Sequence, residues 1–578
     1  MSNPFRICDV TGLKVHKDAD LLIKANAVVA TVMLLIGGIA AIGVLLTRWQ
    51  AVHLLPAEWF YRILTVHGMT MLVFFILFFE MAILYFASAV MLNSRVATPK
   101  LAWASFALMV IGALLVEVEM WTGKADVLFT SYVPLRAEPP FYLGVILFAV
   151  GALLTVFVFF GTLVIAKREK TYTGSVPLVT YGAITAGIIA VITLSHGAAI
   201  YIPTFLWSIT LSDGSHLLNI DPQVYRLLWW GLGHSSQQIN VAAMVAVWYL
   251  LGALTVGSVV LNEKISRSAF VLYVLFISMA SAHHLLVDPG MGPEWKIWNT
   301  SYAMYLAVLA SMIHGFTVPA GIEVGQRAKG YTKGLFEWLR KAPWSDPAFA
   351  ALILSIVVFG FVGGITGVTF GTEQINIMVH NTLRSPGHFH STVVSGTALA
   401  FMGLTYYVIP LIFRKRVAFW GMAKVQPYIF AIGMLIFSMS MTFAGAFGVP
   451  RRHWDISFAQ APFDVQFNPA VDLLLGIMAI GGLLAATGGG MYIIITVWSV
   501  FFGKPLELGA ADTTGIPQGV LKLPPQTYTI PADEKVTADR GPIHHAPGTL
   551  VLVGVFLAAF IVYYFVNWKL LSAIWKIG

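Results

Sequence analysis

Cysteine and charge are what this sequence has least of. One cysteine, Cys8, stands among 578 residues, in the polar segment ahead of the first apolar run. That excludes a disulfide framework, a cysteine-ligated cluster and a thiolate copper site within the chain. Asp, Glu, Lys and Arg make up 11% of the residues, whereas 58% are hydrophobic and the mean hydropathy is +0.79. A soluble protein carries roughly 25% charged residues. So much apolar surface has to be solvated by lipid, and a polytopic membrane protein is expected. The formal charge of +8 and the pI near 9.3 suit basic cytoplasmic loops and give no reason to invoke nucleic acid. No cleavable signal pattern precedes the first apolar run, so the first span is expected to direct insertion. No internal repeat and no cupredoxin motif are visible.

What the chain has instead is a succession of apolar runs long enough to cross a bilayer, about 20 residues each. Thirteen are expected, at 23–47, 63–91, 101–121, 140–166, 176–205, 227–258, 268–287, 299–322, 348–371, 388–413, 425–447, 469–502 and 547–567. The expected fold is therefore an all-α bundle of about thirteen transmembrane helices forming one membrane domain, 1–578. Within it, 1–22 is a cytoplasmic N-terminal segment and 23–502 a twelve-helix catalytic core. Residues 503–546, rich in Pro, Lys, Asp and Thr, form a polar loop, and 547–578 an extra C-terminal helix and tail. Loops after even-numbered spans hold most of the Lys and Arg, such as Lys167, Arg168 and Lys170, or Arg414, Lys415 and Arg416. Positive charge stays inside, so the N-terminus is expected in the cytoplasm, in a prokaryotic plasma membrane.

On this topology six histidines fall in the outer part of the bilayer: His67, His234, His283, His284, His388 and His390. Ionisable side chains inside a membrane are costly and usually serve a function. Neutral imidazole is a favoured ligand for iron and copper. His388 and His390 lie two residues apart, so at about 100° per residue they point to roughly opposite sides of one helix. His67 and one of this pair could sandwich a haem, while the other could hold a second haem from one side and leave its far face open. His234, His283 and His284 make a site for a further metal. An open haem iron facing a three-histidine metal is a place to bind and reduce a diatomic gas.

The run Val379-His380-Asn381-Thr382 through Pro386-Gly387-His388-Phe389-His390 resembles subunit I of the haem–copper oxidoreductase superfamily, in its B-type branch. Leu128-Phe129-Thr130-Ser131-Tyr132 with Phe141-Tyr142-Leu143-Gly144, and His283-His284 followed by Asp288-Pro289-Gly290, are similar to the same branch. The resemblance implies His67 and His390 as axial ligands of a low-spin haem and His388 as the single ligand of a high-spin haem. It implies His234, His283 and His284 as ligands of one non-haem metal, copper or iron. Arg451 and Arg452 match a pair that binds haem propionates, which two guanidinium groups can do bidentately. His380 matches a histidine near a propionate. Tyr249 matches a member of the branch's proton path, with Ser311 and His314 as further candidates, although the tyrosine expected eleven residues after His234 is Val245.

One departure matters for the chemistry. Oxygen reductases of the superfamily commonly carry, four residues after the first metal-ligating histidine, a tyrosine joined covalently to it. Here that residue is Gln238, and the alternative position in span 7 reads Phe276-Ile277-Ser278-Met279. Glutamine cannot donate an electron. Nitric oxide reductases of the superfamily carry glutamate there, and Gln238 is its near-isostere. The expected function is therefore reduction of nitric oxide to nitrous oxide, with Gln238 acting on the bound intermediate. The alternative is a cytochrome c or quinol oxidase that reduces O2 to water with proton translocation. A haem carrier or gas sensor would need no second metal, and a transporter would show broken helices at midplane. Electrons are expected from a second subunit, cupredoxin-like or a cytochrome. Glu80, Glu117 and Glu119 are intramembrane carboxylates with no assigned role.

Overall fold

The computed structural model describes residues 3–277, 283–458, 462–463, 465–522 and 545–574. Among these, twelve helices are long and apolar enough to cross a membrane. They are α1 (Lys17–Arg48), α2 (Ala57–Val90), α3 (Pro99–Trp121), α4 (Pro139–Arg168), α5 (Leu178–Ser208) and α6 (Pro222–Val256). After a shorter helix, α7 (Glu263–Leu272), come α8 (Pro293–Ala328), α9 (Pro347–Gly371), α10 (Arg384–Phe413), α11 (Trp420–Ala446), α12 (Ala470–Phe502) and α13 (Pro547–Ile574). The expected span 268–287 begins as α7, continues through a π turn at Tyr273–Ile277, and then passes through 278–282, which lie outside the described residues. Ser278 and Met279 fall there as well.

The N-terminal segment carries structure of its own. Phe5–Ile7 pairs antiparallel with Lys14–His16, and α1 begins at Lys17 rather than near 23. Charge does not exclude residues 17–22 from the helix, because Asp20 lies between Arg6 and Lys24 and accepts from both, at 2.5 Å each. The 503–546 loop is likewise tied down where it is described. Its start carries a short helix, Gln518–Lys522, and its backbone pairs with the α10–α11 turn through Arg416 to Lys504 and Val417 to Gly515.

The helices that carry His67, His234, and His388 with His390 are buried along most of their length: 83% of the apolar window of α2, α6 and α10 is inside the protein, against 6% for α13. The histidine helices form the centre, and α13 is a lipid-facing addition. Its docking is polar. Buried Glu323 of α8 accepts from the Gly548 and Thr549 backbone N–H groups at 3.0 and 2.7 Å, satisfying two orphan donors at the first turn of α13. Near the other end, Asn567 accepts from the fully buried Arg384 at 2.7 Å.

Two features set the first turns of α10. Glycines let it approach α11 closely: a Cβ on Gly387 would lie 2.9 Å from the Thr442 backbone nitrogen and 3.0 Å from the Ser438 carbonyl oxygen. Gly445 of α11 abuts the backbone of Leu383 and Arg384 in the same way. The helix then widens into a π stretch at His390–Ala398, and α9 and α2 do so at Phe359–Gly364 and Thr70–Phe75. π bulges of this kind gather at functional sites, and all three lie beside the histidines.

Candidate haem and metal centre

His67 of α2 and His390 of α10 face each other with ring centres 6.1 Å apart and planes within 14°. Two imidazoles ligating one ion in line, with metal–nitrogen bonds of about 2 Å, stand roughly that far apart. Each is oriented by its other nitrogen. His67 Nδ1 donates to the Gly37 carbonyl at 3.1 Å and His390 Nδ1 to Pro386 at 2.7 Å. Both Nε2 atoms are left as ligand atoms, as backbone-anchored metal histidines require. The two rings open into a cavity of about 320 Å³ whose walls are almost wholly apolar. Its polar lining, besides the histidines, is Arg48, Arg451 and Arg452.

Arg451 and Arg452 thus reach the cavity as expected. Arg451 is held by Asn381 Oδ1 at 2.8 Å and Ser385 Oγ at 3.2 Å, while Arg452 lies over the Tyr132 ring, 5.1 Å from its centre. Arg451 Nε and one terminal nitrogen of Arg452 are buried with no hydrogen-bond partner among the described residues. Burial, with Arg452 beside it, pulls the Arg451 pKa down to about 9. The pair calls for an anion. Opposed imidazoles, apolar walls and unpartnered guanidinium nitrogens at the rim suit a haem with its two carboxylates. His380 does not line this cavity. Its Nδ1 meets Asn376 Oδ1 at 3.2 Å and its Nε2 lies 3.8 Å from Asp288. Burial, then the charges of Arg451, Arg226 and Arg452, lowers its pKa to about 3 and keeps it neutral.

His388 points to the opposite flank of α10, toward α9. Its Nδ1 donates to the Gly363 carbonyl and meets Thr366 Oγ1, both at 3.1 Å, so Nε2 is again the free ligand atom. Gly367 leaves room for the ring, since a Cβ there would lie 2.9 Å from His388 Cε1. Phe370 joins this flank to the remaining histidines, with ring centres 6.4 Å from His388, 6.0 Å from His283 and 5.7 Å from His284.

His234, His283 and His284 come together. One ligand nitrogen from each lies within 4.8 Å of the others, a spacing that an ion with bonds of about 2 Å can close. His284 stacks on Trp230 at 3.7 Å, and the His234 and His283 rings stand nearly perpendicular at 4.3 Å. Among the described residues no carboxylate joins this cluster. Three imidazoles without a hard oxygen ligand suit copper. Gln238, expected to face a ligand between the metals, instead places its amide 2.9 Å from His234 Nε2.

A chain of polar groups lies below the site. Tyr249 OH contacts His314 Nδ1 at 3.0 Å, Thr317 Oγ1 at 2.7 Å and Ser266 Oγ at 3.1 Å. Ser311 does not reach Tyr249 but pairs with Tyr273 OH at 3.0 Å, and the Tyr273 ring lies 5.5 Å from that of His314. Ser266, Tyr273 and Thr317 were missed in the sequence, where a lone hydroxyl in an apolar helix gives no signal. Glu117 is bonded by Thr70 Oγ1 at 2.5 Å and Trp121 Nε1 at 3.0 Å, while both Glu80 oxygens are buried without a partner among the described residues.

A helical membrane bundle that gathers histidines on both flanks of one helix, opposite a three-histidine cluster, defines a metal-dependent membrane oxidoreductase. The comparisons agree. The family described as "Cytochrome C and Quinol oxidase polypeptide I" matches residues 22–484. Cytochrome c oxidase subunit 1 of Thermus thermophilus is 32% identical over 437 residues, 74% of each chain. Quinol oxidase subunit 1 of Bacillus subtilis is 22% identical over 462 residues, 76% of this chain and 66% of that one. A haem–copper terminal oxidase dimer determined by cryo-EM superimposes with a TM-score of 0.79 at 25% identity, covering 96% of this chain and 92% of that one. The chain belongs to the haem–copper oxidase subunit I family, whose members use haems and a copper centre.

Proposed function

We propose that this chain is the catalytic subunit of a terminal oxidase that reduces O2 to water with four electrons and four protons. His67 and His390 would hold a low-spin haem, with Arg451 and Arg452 on its propionates. His388 would hold a high-spin haem, and His234, His283 and His284 copper. The observation that carries this reading is the placement of His388 and His390 on opposite flanks of α10, one facing His67 and the other sharing Phe370 with the histidine cluster. The relatives named above, cytochrome c and quinol oxidases, support oxygen as the substrate over nitric oxide. When held by these histidines, the haems and the metal would supply electrons for reduction of the gas. The chain's own residues set ligand geometry, exclude water with apolar walls and carry protons. Tyr249 OH, between Ser266 on one side and His314 and Thr317 on the other, can accept a proton as it passes one on. Electrons would come from a partner subunit, cupredoxin-like or a cytochrome, with the N-terminus in the cytoplasm.

One observation favours a second reading. Gln238 occupies the place of the tyrosine that would complete the electron set for O2, whereas two molecules of nitric oxide need only two electrons and two protons to give nitrous oxide and water. The purified complex, assayed anaerobically on nitric oxide and separately on O2 with the same donor, decides between them. Faster turnover of O2 is expected, and faster turnover of nitric oxide replaces the oxidase reading.

A further inference from the structure

The histidines of this site are not oriented alike. His67, His388 and His390 each spend Nδ1 on a backbone carbonyl and keep Nε2. His234 is reversed: its Nε2 is taken by the Gln238 amide at 2.9 Å, and its Nδ1 is buried with no hydrogen-bond partner among the described residues. We propose that the Gln238 side-chain oxygen accepts the Nε2–H of His234 and so fixes this imidazole as an Nδ1 ligand of the triad metal. The proposal rests on the reading of the triad as a metal site and is independent of which gas is reduced.

The reasoning is an accounting of protons. A neutral imidazole carries one N–H and one lone pair. Gln238 stands four residues after His234 on α6, one turn along the same face, so its carboxamide is held against Nε2. Oxygen and nitrogen of a carboxamide are interchangeable in position, and the hydrogen-bond network must choose between them. If the NH2 group faced His234, Nε2 would carry the lone pair and Nδ1 the proton. A buried N–H would then be stranded against His283, and neither nitrogen of His234 could bind a metal. With the oxygen facing His234, the proton sits on Nε2 in a hydrogen bond and the Nδ1 lone pair is left for the cluster. Only this orientation gives the His234 N–H an acceptor and leaves it a lone pair facing the cluster. Gln238 is then a positioning residue, and its amide is not free to donate to a bound intermediate as the sequence suggested. It occupies by a hydrogen bond the Nε2 face of a ligand histidine.

The test is metal retention in the complete complex. Wild type, Gln238→Glu and Gln238→Leu are dialysed against graded chelator. Metal per high-spin haem is then measured by elemental analysis, with haem spectra as the control for folding. A partner that orients a metal-bound histidine typically contributes 10–100-fold in affinity. Gln238→Leu should lose metal at about 10–100-fold lower chelator than wild type. Gln238→Glu, which can accept but not donate, should hold it at least as tightly as wild type. Gln238→Glu decides the matter even if Gln238→Leu does not fold, because a donating glutamine predicts that Glu fails. Glu losing metal, or Leu retaining it like wild type, overturns the proposal. A wild-type complex with both haems and no triad metal overturns the metal-site reading beneath it.

Discussion

Gly387→Ala is the smallest change that should disconnect the site without touching a ligand. The added Cβ would sit 2.9 Å from the Thr442 backbone nitrogen and 3.0 Å from the Ser438 carbonyl oxygen. Ordinary contact needs about 3.5–4.0 Å, so α10 and α11 must part by roughly 0.5–1 Å. The Thr442 hydroxyl, nearer still, can turn aside, but the two backbone obstacles cannot be relieved by a rotamer. Overpacking of this kind costs about 1–3 kcal/mol, and backbone obstacles place it toward the upper end. The geometric effect is larger than the energetic one. Metal–nitrogen bonds tolerate about 0.2 Å, and the moving segment carries both His388 and His390. Gly387→Ala should therefore lose much of the low-spin haem absorbance and melt earlier in detergent. Gly554→Ala is the control: nothing lies within 4 Å of its Cβ, and a helical Gly→Ala change there should be neutral or stabilising by up to about 1 kcal/mol. If Gly387→Ala binds both haems at wild-type level and melts with Gly554→Ala, close approach of α10 to α11 does not set the ligands.

His67→Ala should abolish the low-spin haem signal and leave CO binding at the high-spin haem, and His388→Ala should do the reverse. Loss of CO binding in a folded His67 variant refutes the assignment. Tyr249→Phe removes the hydroxyl that joins Ser266 to His314 and Thr317. It should lower steady-state turnover at least about tenfold while haem spectra stay unchanged, as loss of a positioned proton-transfer group does. Turnover equal to wild type removes Tyr249 from the proton route.

What was legible in the sequence is what lipid makes expensive. A histidine inside a bilayer stands out against an apolar background, and the structure sets His67 opposite His390 and gathers His234, His283 and His284. The two-residue offset of His388 and His390 correctly placed them on opposite flanks, because helix rotation is a property of the backbone. Hydroxyls were another matter. Thr317, Ser266 and Tyr273 fit within apolar helices at little cost, since a serine or threonine can return its hydrogen bond to its own backbone, and only tertiary packing shows which ones line up. The N-terminal hairpin escaped notice because three-residue strands hold too little alternation to read. The π stretches at His390–Ala398 and Phe359–Gly364 leave no compositional trace. Gln238 was identified by its spacing from His234, but spacing alone could not say that its partner is the histidine itself.

Arg384 is buried among apolar helices and is bonded by Thr369 of α9 and by Asn567, which lies 183 residues further along the chain. That separation has a meaning in time. At about 5–20 residues per second, a ribosome reaches Asn567 roughly 10–40 s after Arg384. Throughout that interval the segment bearing His388 and His390 holds a cation short of its partner, and the Glu323 carboxylate waits for the first turn of α13. The bond from Arg384, one turn ahead of His388, can form only after α13 has been made. A chain cut short before Asn567 would therefore leave the Arg384 guanidinium without that bond.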